Sequence, residues 1–279
     1  MRTPILAPPT ETLIQPKPFL KWVGGKRQLM DELGKNRPKQ FRKYHEICLG
    51  GGAHYFDLRN NGYQGKAFLY DLNGELIRTY QAIKDNPAAV VKELWGHALS
   101  HTQGYFLGLR SINPKDLNDA QVAGRMLYLN QACFNGLYRV NSKGQLNSPW
   151  GKRSSISVNS TNIYAVSNAL RNAVLVQGDF AEVLSRASGN SFSFIDPPYP
   201  SGFSAYTSIG FPDSDQARLH RVCVELNRKN VMFMQTNSDC ELIRKLYKDF
   251  NIAPVQARRN INCKGEGRGK VGEVLITNY

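Results

Sequence analysis

The chain has 279 residues, 41% apolar and 10% aromatic, which is enough to bury a sizeable core and excludes an intrinsically disordered chain. Basic residues exceed acidic ones by 36 − 22 = +14, so a polyanionic partner is expected. The five cysteines (Cys48, Cys133, Cys223, Cys240 and Cys263) form no CxxC pair, and neither a signal peptide nor a run of about 18 apolar residues occurs, which argues against a metal site, a disulfide framework and a membrane span, and for the reducing cytoplasm; a monomer is expected.

In chain order, residues 1–18 carry five prolines and predict an extended, poorly ordered lead. The runs that follow predict a buried strand over 44–49, a helix over 53–59, a strand over 66–70 and a helix near 74–84. Two further helical stretches reach about Cys133, and His97 and His101 on them share a helix face as surface residues rather than metal ligands. Residues 137–150 alternate loosely about Ser142-Lys143-Gly144 and predict a β-hairpin. Strand, helix and strand are then expected at 173–177, 180–188 and 192–195. A helix from about Asp215 follows, with Leu219, Val222 and Leu226 on one face and a capping box from Asp213 and Gln216. A strand at 231–235, a helix near 241–247 and two terminal strands complete the chain. Strands alternating with helices of this length predict an open, mainly parallel α/β sheet, interrupted from about 88 to 165 by an inserted domain.

The charge is unevenly spread. No acidic residue lies between Asp119 and Asp179, while Arg125, Arg139, Lys143, Lys152, Arg153 and Arg171 do, interleaved with Tyr128, Phe134, Tyr138 and Trp150. A solvated face normally mixes both signs, so this stretch is expected to face phosphates and bases.

Two constellations carry chemistry. Gly50, Gly51 and Gly52 lie between a strand and a helix, and Asp71 follows Gly51 by 20 residues at the end of the next strand. Such a turn lets backbone approach a ligand while the acid binds ribose hydroxyls, a plan shared by dinucleotide and S-adenosylmethionine enzymes. The second is Asp196-Pro197-Pro198-Tyr199, at the carboxyl end of an apolar strand, where ligands of open α/β sheets sit. An adenine N6 amine is a poor nucleophile because its lone pair is delocalised into the ring. Two acceptors aimed at its hydrogens, the Asp196 carboxylate and the Pro197 carbonyl, would free that lone pair and stabilise the developing positive charge. Tyr199 offers a face for an extruded base.

At this point the chain resembles the Dam-type N6-adenine DNA methyltransferases (D12 class, alpha group). The resemblance rests on Phe19-Leu20-Lys21-Trp22-Val23-Gly24-Gly25-Lys26, the glycine turn, Asp71, Asn135-Gly136-Leu137, Asp179-Phe180, Asp196 to Tyr199, Asp215-Gln216 and Asn237-Ser238-Asp239. It implies a Rossmann-like S-adenosylmethionine-dependent methyltransferase sheet, formed by residues 19–87 and 166–279, with a helical and β-hairpin target-recognition domain inserted at 88–165. It implies S-adenosylmethionine as cofactor, held by Trp22, Lys26, Gly50, Gly51, Gly52, Asp71, Asp179, Phe180 and Asp196, with Asp196, Pro197, Pro198 and Tyr199 catalytic. It also implies duplex DNA as substrate, at GATC, through Lys21, Phe134, Asn135, Leu137, Arg139, Pro149 and Lys152. Arg139 matches an arginine that reads the first guanine, Leu137 and Pro149 lie near the thymine, and Phe134 stands where a tyrosine usually wedges into the stack.

Three departures stand out. Glu46-Ile47-Cys48 replaces the usual Glu-Pro-Phe, the segment from Pro200 to Tyr206 is several residues shorter than the family's loop, and Lys152 sits where an arginine is common. The competing expectations are a catalytically silent DNA-binding module and a methyltransferase for another planar amine.

Overall fold

The computed structural model describes residues 14–141, 145–200, 211–258 and 270–279. The elements are α1 (Met30–Asn36), β1 (Lys43–Ile47), α2 (Ala53–Asn60), β2 (Lys66–Asp71), α3 (Gly74–Asp85), α4 (Pro87–Leu99), α5 (Gln103–Ser111), α6 (Asp119–Ala132), α7 (Ser160–Leu170), β3 (Ala173–Gln177), β4 (Ser191–Ile195), α8 (Asp213–Arg228), β5 (Met232–Ser238), α9 (Glu241–Leu246), β6 (Asn251–Arg258) and β7 (Lys270–Thr277).

The strands form one seven-stranded sheet in the order β3-β2-β1-β4-β5-β7-β6. The first five are parallel neighbours, and β7 runs antiparallel between β5 and β6. This is the Rossmann-like arrangement expected of a methyltransferase sheet. The central strands β1 and β4 are buried on both faces, which is why they read as near-continuous apolar runs. One face carries Tyr44, Leu69, Phe192 and Phe194 against α2, α3, α6 and α7. The other carries Ile47, Tyr70, Ile195 and Phe233 against α8, α9 and a 3-10 turn at Phe180–Ser185. The register sets Ile47 opposite both Tyr70 and Ile195, so the ends of β1, β2 and β4 meet at one sheet edge. The strand order reverses between β1 and β4, and an open α/β sheet presents its binding crevice there.

Residues 87–132 add three helices, α4, α5 and α6, where two stretches were expected. Asn118 and Gln121 form a reciprocal capping box that starts α6. The core of these helices is continuous with the α3 face of the sheet. The expected boundary at 165 falls inside α7.

Several local expectations are corrected. Residues 14–18 are not a loose lead: the Lys17 amide donates to Asn162 Oδ1 (2.9 Å) and Asn60 Nδ2 donates to the Pro16 carbonyl (3.1 Å). Residues 1–13 lie outside the described residues. The 137–150 segment does pair with itself antiparallel, as a hairpin would, but through single bridges, Val140 with Leu146 and Cys133 with Trp150 at its base, rather than continuous strands; its expected turn at 142–144 is outside the described residues. The helix expected over 180–188 is the short 3-10 turn. No capping box starts α8, where Pro212 is the N-cap and Gln216 turns inward instead. His97 is buried and bonds the Tyr105 hydroxyl, and half-buried His101 bonds that of Tyr128, so neither is an open surface residue. Among the described residues no helix is long and apolar enough to cross a membrane.

Candidate functional site

The turn from Cys48 to Gly52 leaves β1 with left-handed backbone at Cys48, Gly50 and Gly52. Its amide at Gly50 donates to Asp71 Oδ2 (2.9 Å), and the Asn73 amide donates to Asp71 Oδ1 (2.9 Å). These bonds aim the carboxylate from the end of β2 across the turn while leaving lone pairs for further donors. The Trp22 indole lies over the same turn: a Cβ on Gly50 would come within 2.6 Å of Trp22 Cδ1. Trp22 also stacks on Tyr138, with ring centroids 5.3 Å apart and planes at 23°.

Asp196 follows β4 beside this turn, its amide donating to the Ile47 carbonyl (3.3 Å). Thr236 Oγ1 on β5 donates to Asp196 Oδ1 (2.7 Å), and Lys26 Nζ reaches the same oxygen (2.9 Å). The buried Lys26 ammonium donates to the Gly24 carbonyl (2.7 Å) and lies 4.7 Å from the Tyr199 ring centroid. The Tyr199 hydroxyl donates to Glu273 Oε2 on β7 (3.0 Å). Partial burial, then the Asp196 and Glu273 carboxylates, push its phenol well above the ordinary range. Gln216 of α8 donates through Nε2 to the Pro198 carbonyl (2.8 Å) and accepts from Asn237 Nδ2 (3.1 Å). The second proline carbonyl is therefore engaged from below.

Asp179 and Phe180 follow β3, one strand beyond Asp71. Burial alone would raise the Asp179 carboxyl, but two Arg218 hydrogen bonds (2.7 and 2.8 Å) outweigh it and hold it below its usual value. The Arg218 guanidinium carbon lies 4.0 Å from the Phe180 ring centroid. Under the turn, Glu46 is buried and accepts from the Tyr44 hydroxyl (2.6 Å), which also meets His54 Nδ1 (2.6 Å). Burial pushes the Glu46 carboxyl up to about 8.

The residues expected at DNA gather on the 133–152 segment. Its arms are joined at the base by Phe134 N to Pro149 O and Gly151 N to Ala132 O, both 2.9 Å. Phe134 is 53% exposed, and Asn135 and Lys152 have left-handed backbone. Pro149 and Lys152 are exposed, while Leu137 and Arg139 are half-buried. Arg139 Nε donates to Asn147 Oδ1 (2.9 Å). Lys21 joins the two regions through buried Asn130, which accepts from the Lys21 amide (2.8 Å) and donates to the Lys21 and Gly136 carbonyls (2.9 and 3.0 Å).

Sequence reasoning misplaced Arg125. It is 2% exposed and bonds Glu75 Oε1 (2.6 Å) and the Leu109 carbonyl (3.0 Å), so it knits α6 to α3 instead of facing a ligand. Glu75 also accepts from the Tyr138 hydroxyl (3.0 Å), which backs Trp22. Lys143 and the shortened loop over 201–206 lie outside the described residues. Thr236 and Glu273 are partners to which sequence reasoning gave no role, and Gln216, expected to cap a helix, instead holds the Pro198 carbonyl.

A family model described as the D12 class N6 adenine-specific DNA methyltransferase matches residues 22–261. The chain is 37% identical over 275 residues to the Type II methyltransferase M1.LlaDCHI of Lactococcus lactis subsp. cremoris, covering 94% of this chain and 95% of that one. It is 34% identical to the Type II methyltransferase M.MjaIII of Methanocaldococcus jannaschii, covering 94% and 99%. It is 29% identical to the DNA adenine methylase of Escherichia coli K12, covering 92% and 93%.

Proposed function

The chain belongs to the D12 class of N6 adenine-specific DNA methyltransferases, with S-adenosylmethionine as methyl donor, and on that premise we propose that it methylates adenine within GATC in duplex DNA by drawing the base into a pocket of Asp196, Pro197, Pro198 and Tyr199. The observation that carries this reading is the position of Asp196: it stands at the sheet's switch point beside the Gly50–Gly52 turn, held through Oδ1 by Thr236 and Lys26. A carboxylate fixed on one oxygen presents the other at a set angle, which suits a planar amine with two hydrogens.

The cofactor would supply an electrophilic methyl on a sulfonium. Its fit to the chain is supported by the Asp71 carboxylate at the glycine turn, the Trp22 indole over that turn and the Asp179–Phe180 pair one strand further along. Asp71 would take ribose hydroxyls, Phe180 and Asp179 would flank the adenine ring, and Lys26 would meet the carboxylate end. Asp196 and the Pro197 carbonyl would accept from the two target-amine hydrogens, and the Tyr199 ring would stack on the extruded base.

Residues 88–165 would form the target-recognition domain. Its exposed 133–152 segment carries Phe134, Asn135, Leu137, Arg139, Pro149 and Lys152, with Lys21 tethered beside it by Asn130. Phe134 would wedge into the stack, Arg139 would read a guanine, and Leu137 and Pro149 would meet the thymine methyl. The experiment is incubation with methyl-labelled cofactor and duplexes with or without GATC, followed by digestion to nucleosides. Label in N6-methyladenine from GATC duplexes alone is expected. Adenine labelling without regard to sequence overturns the GATC assignment, and label on a cytosine amine overturns adenine as the base drawn into the pocket.

A further inference from the structure

The two arms of the 133–152 segment run in register. The Asn141 amide donates to the Gln145 carbonyl and the Asn147 amide to the Arg139 carbonyl, each at 2.9 Å. Between them Val140 bridges Leu146, and both pack on the core. Alternation therefore turns Val140 and Leu146 inward and sets Arg139 and Asn147 on the opposite, outward side. There the arginine's Nε donates to Asn147 Oδ1 at 2.9 Å.

Two features of this contact bear on what the arginine can reach. Among the described residues, Arg37, Arg78, Arg125, Arg218 and Arg244 hydrogen-bond a carboxylate, whereas Arg139, like Arg59 and Arg110, bonds a neutral group, in its case a side-chain amide. An amide fixes the guanidinium without cancelling its charge. The contact also uses Nε, the inner nitrogen, so the terminal nitrogens Nη1 and Nη2 are presented end-on as a fork. That fork matches the O6 and N7 acceptors of a guanine edge, and fixing it beforehand lowers the ordering cost of the contact.

We propose that Asn147 is a specificity-determining positioning residue that aims Arg139 at the outer guanine of the target site. This inference rests on the reading that Arg139 contacts a base. Without the amide, the arginine swings among rotamers that also reach phosphate, and its charge becomes a sequence-independent anchor.

The test compares kcat/KM on duplexes with guanine or 7-deazaguanine at the outer position, which removes only the N7 acceptor, for the wild type and for Arg139→Ala, Asn147→Ala and Asn147→Asp. Wild type is expected to prefer guanine by roughly tenfold, within the range of a bidentate base contact. Asn147→Ala should lose most of that preference while its cofactor affinity and thermal unfolding stay at wild-type values. Asn147→Asp keeps the acceptor and should keep the preference, while binding all duplexes more weakly because its charge offsets that of Arg139. Loss of preference in Arg139→Ala with full preference in Asn147→Ala overturns the proposal alone. Full preference in Arg139→Ala overturns the base-contact reading itself, and the proposal with it.

Discussion

Lys26 Nζ lies 2.9 Å from Asp196 Oδ1, with both side chains largely shielded from solvent and the Tyr199 ring covering the ammonium at 4.7 Å. The lysine leaves a segment before the sheet begins, whereas the aspartate directly follows β4, so the contact joins the amino-terminal segment to the carboxyl edge of the sheet. A cation donating to this oxygen fixes the orientation of the carboxylate.

Replacing Lys26 with Met keeps the length of the side chain but removes the charge and its donors. Charge-assisted hydrogen bonds of this kind contribute about 1.5–3 kcal/mol, so kcat is expected to fall by roughly tenfold or more. Cofactor affinity, read by calorimetry, should fall as well. A variant with unchanged kcat and unchanged affinity would leave the ion pair without a functional part.

Gly50 sits at φ +49, and a Cβ there would meet Trp22 Cδ1 at 2.6 Å. Gly50→Ala thus combines left-handed strain of about 1–2 kcal/mol with displacement of the indole. A shifted tryptophan emission and about tenfold weaker cofactor binding are expected. Gly51→Ala, whose nearest atom is Trp22 Cβ at 3.3 Å, should be milder. Equal behaviour of the two variants would show that the indole does not depend on this turn.

Gln216 is fully buried and spans the Pro198 carbonyl and Asn237. Gln216→Leu strands both partners, which costs about 1–3 kcal/mol of stability. Because the freed carbonyl adjoins Pro197, kcat should fall by more than the lost stability accounts for, with cofactor affinity unchanged. Denaturant unfolding and single-turnover rates on one preparation test this. A stability loss with a normal rate would reduce Gln216 to a packing residue.

Stability should respond to Glu46. Burial raises its carboxyl from 4.5 to about 8, so the folded chain holds this proton more tightly than the unfolded chain does. Its stabilising effect is complete below pH 4.5 and is lost as pH rises through about 8. The neighbouring His54 is shifted the other way, below 6.5 by burial, and favours folding as pH rises to that value. Between pH 6.5 and 8 the Glu46 effect therefore stands out, and wild-type stability should fall across that window. Glu46→Gln, which keeps the shape without the titration, should flatten the curve measured by urea unfolding. An unchanged slope would assign it to other groups.

The sheet and the two strand-end motifs were legible because both are local. Buried parallel strands are short apolar runs, and the glycine turn and Asp196-Pro197-Pro198-Tyr199 each follow one directly. What was hidden depends on partners distant in sequence. Arg125 looked like one more cation of an acid-free stretch, yet its partner Glu75 stands 50 residues away on α3. Glu273, which holds Tyr199 from 74 residues away, sits on the antiparallel β7, and no local pattern announces that pairing. Gln216 resembled the third residue of a helix cap, but buried polar groups at the Pro-Pro turn claimed it instead. Loose alternation in 137–150 did announce the antiparallel pairing of its two arms, but not the side-chain bonds from Arg139 to Asn147, between Asn141 and Gln145, and from Ser148 to the Leu137 carbonyl.

The most direct test is single-turnover methyl transfer by Asp196→Ala, with cofactor and duplex binding measured on the same protein. Removing the carboxylate eliminates the proposed acceptor for the target amine but leaves the 133–152 segment intact. Methyl transfer lower by several orders of magnitude, with duplex affinity within a few fold of wild type, is the predicted result. A rate near that of the wild type would contradict the account, because the amine would then be activated without Asp196.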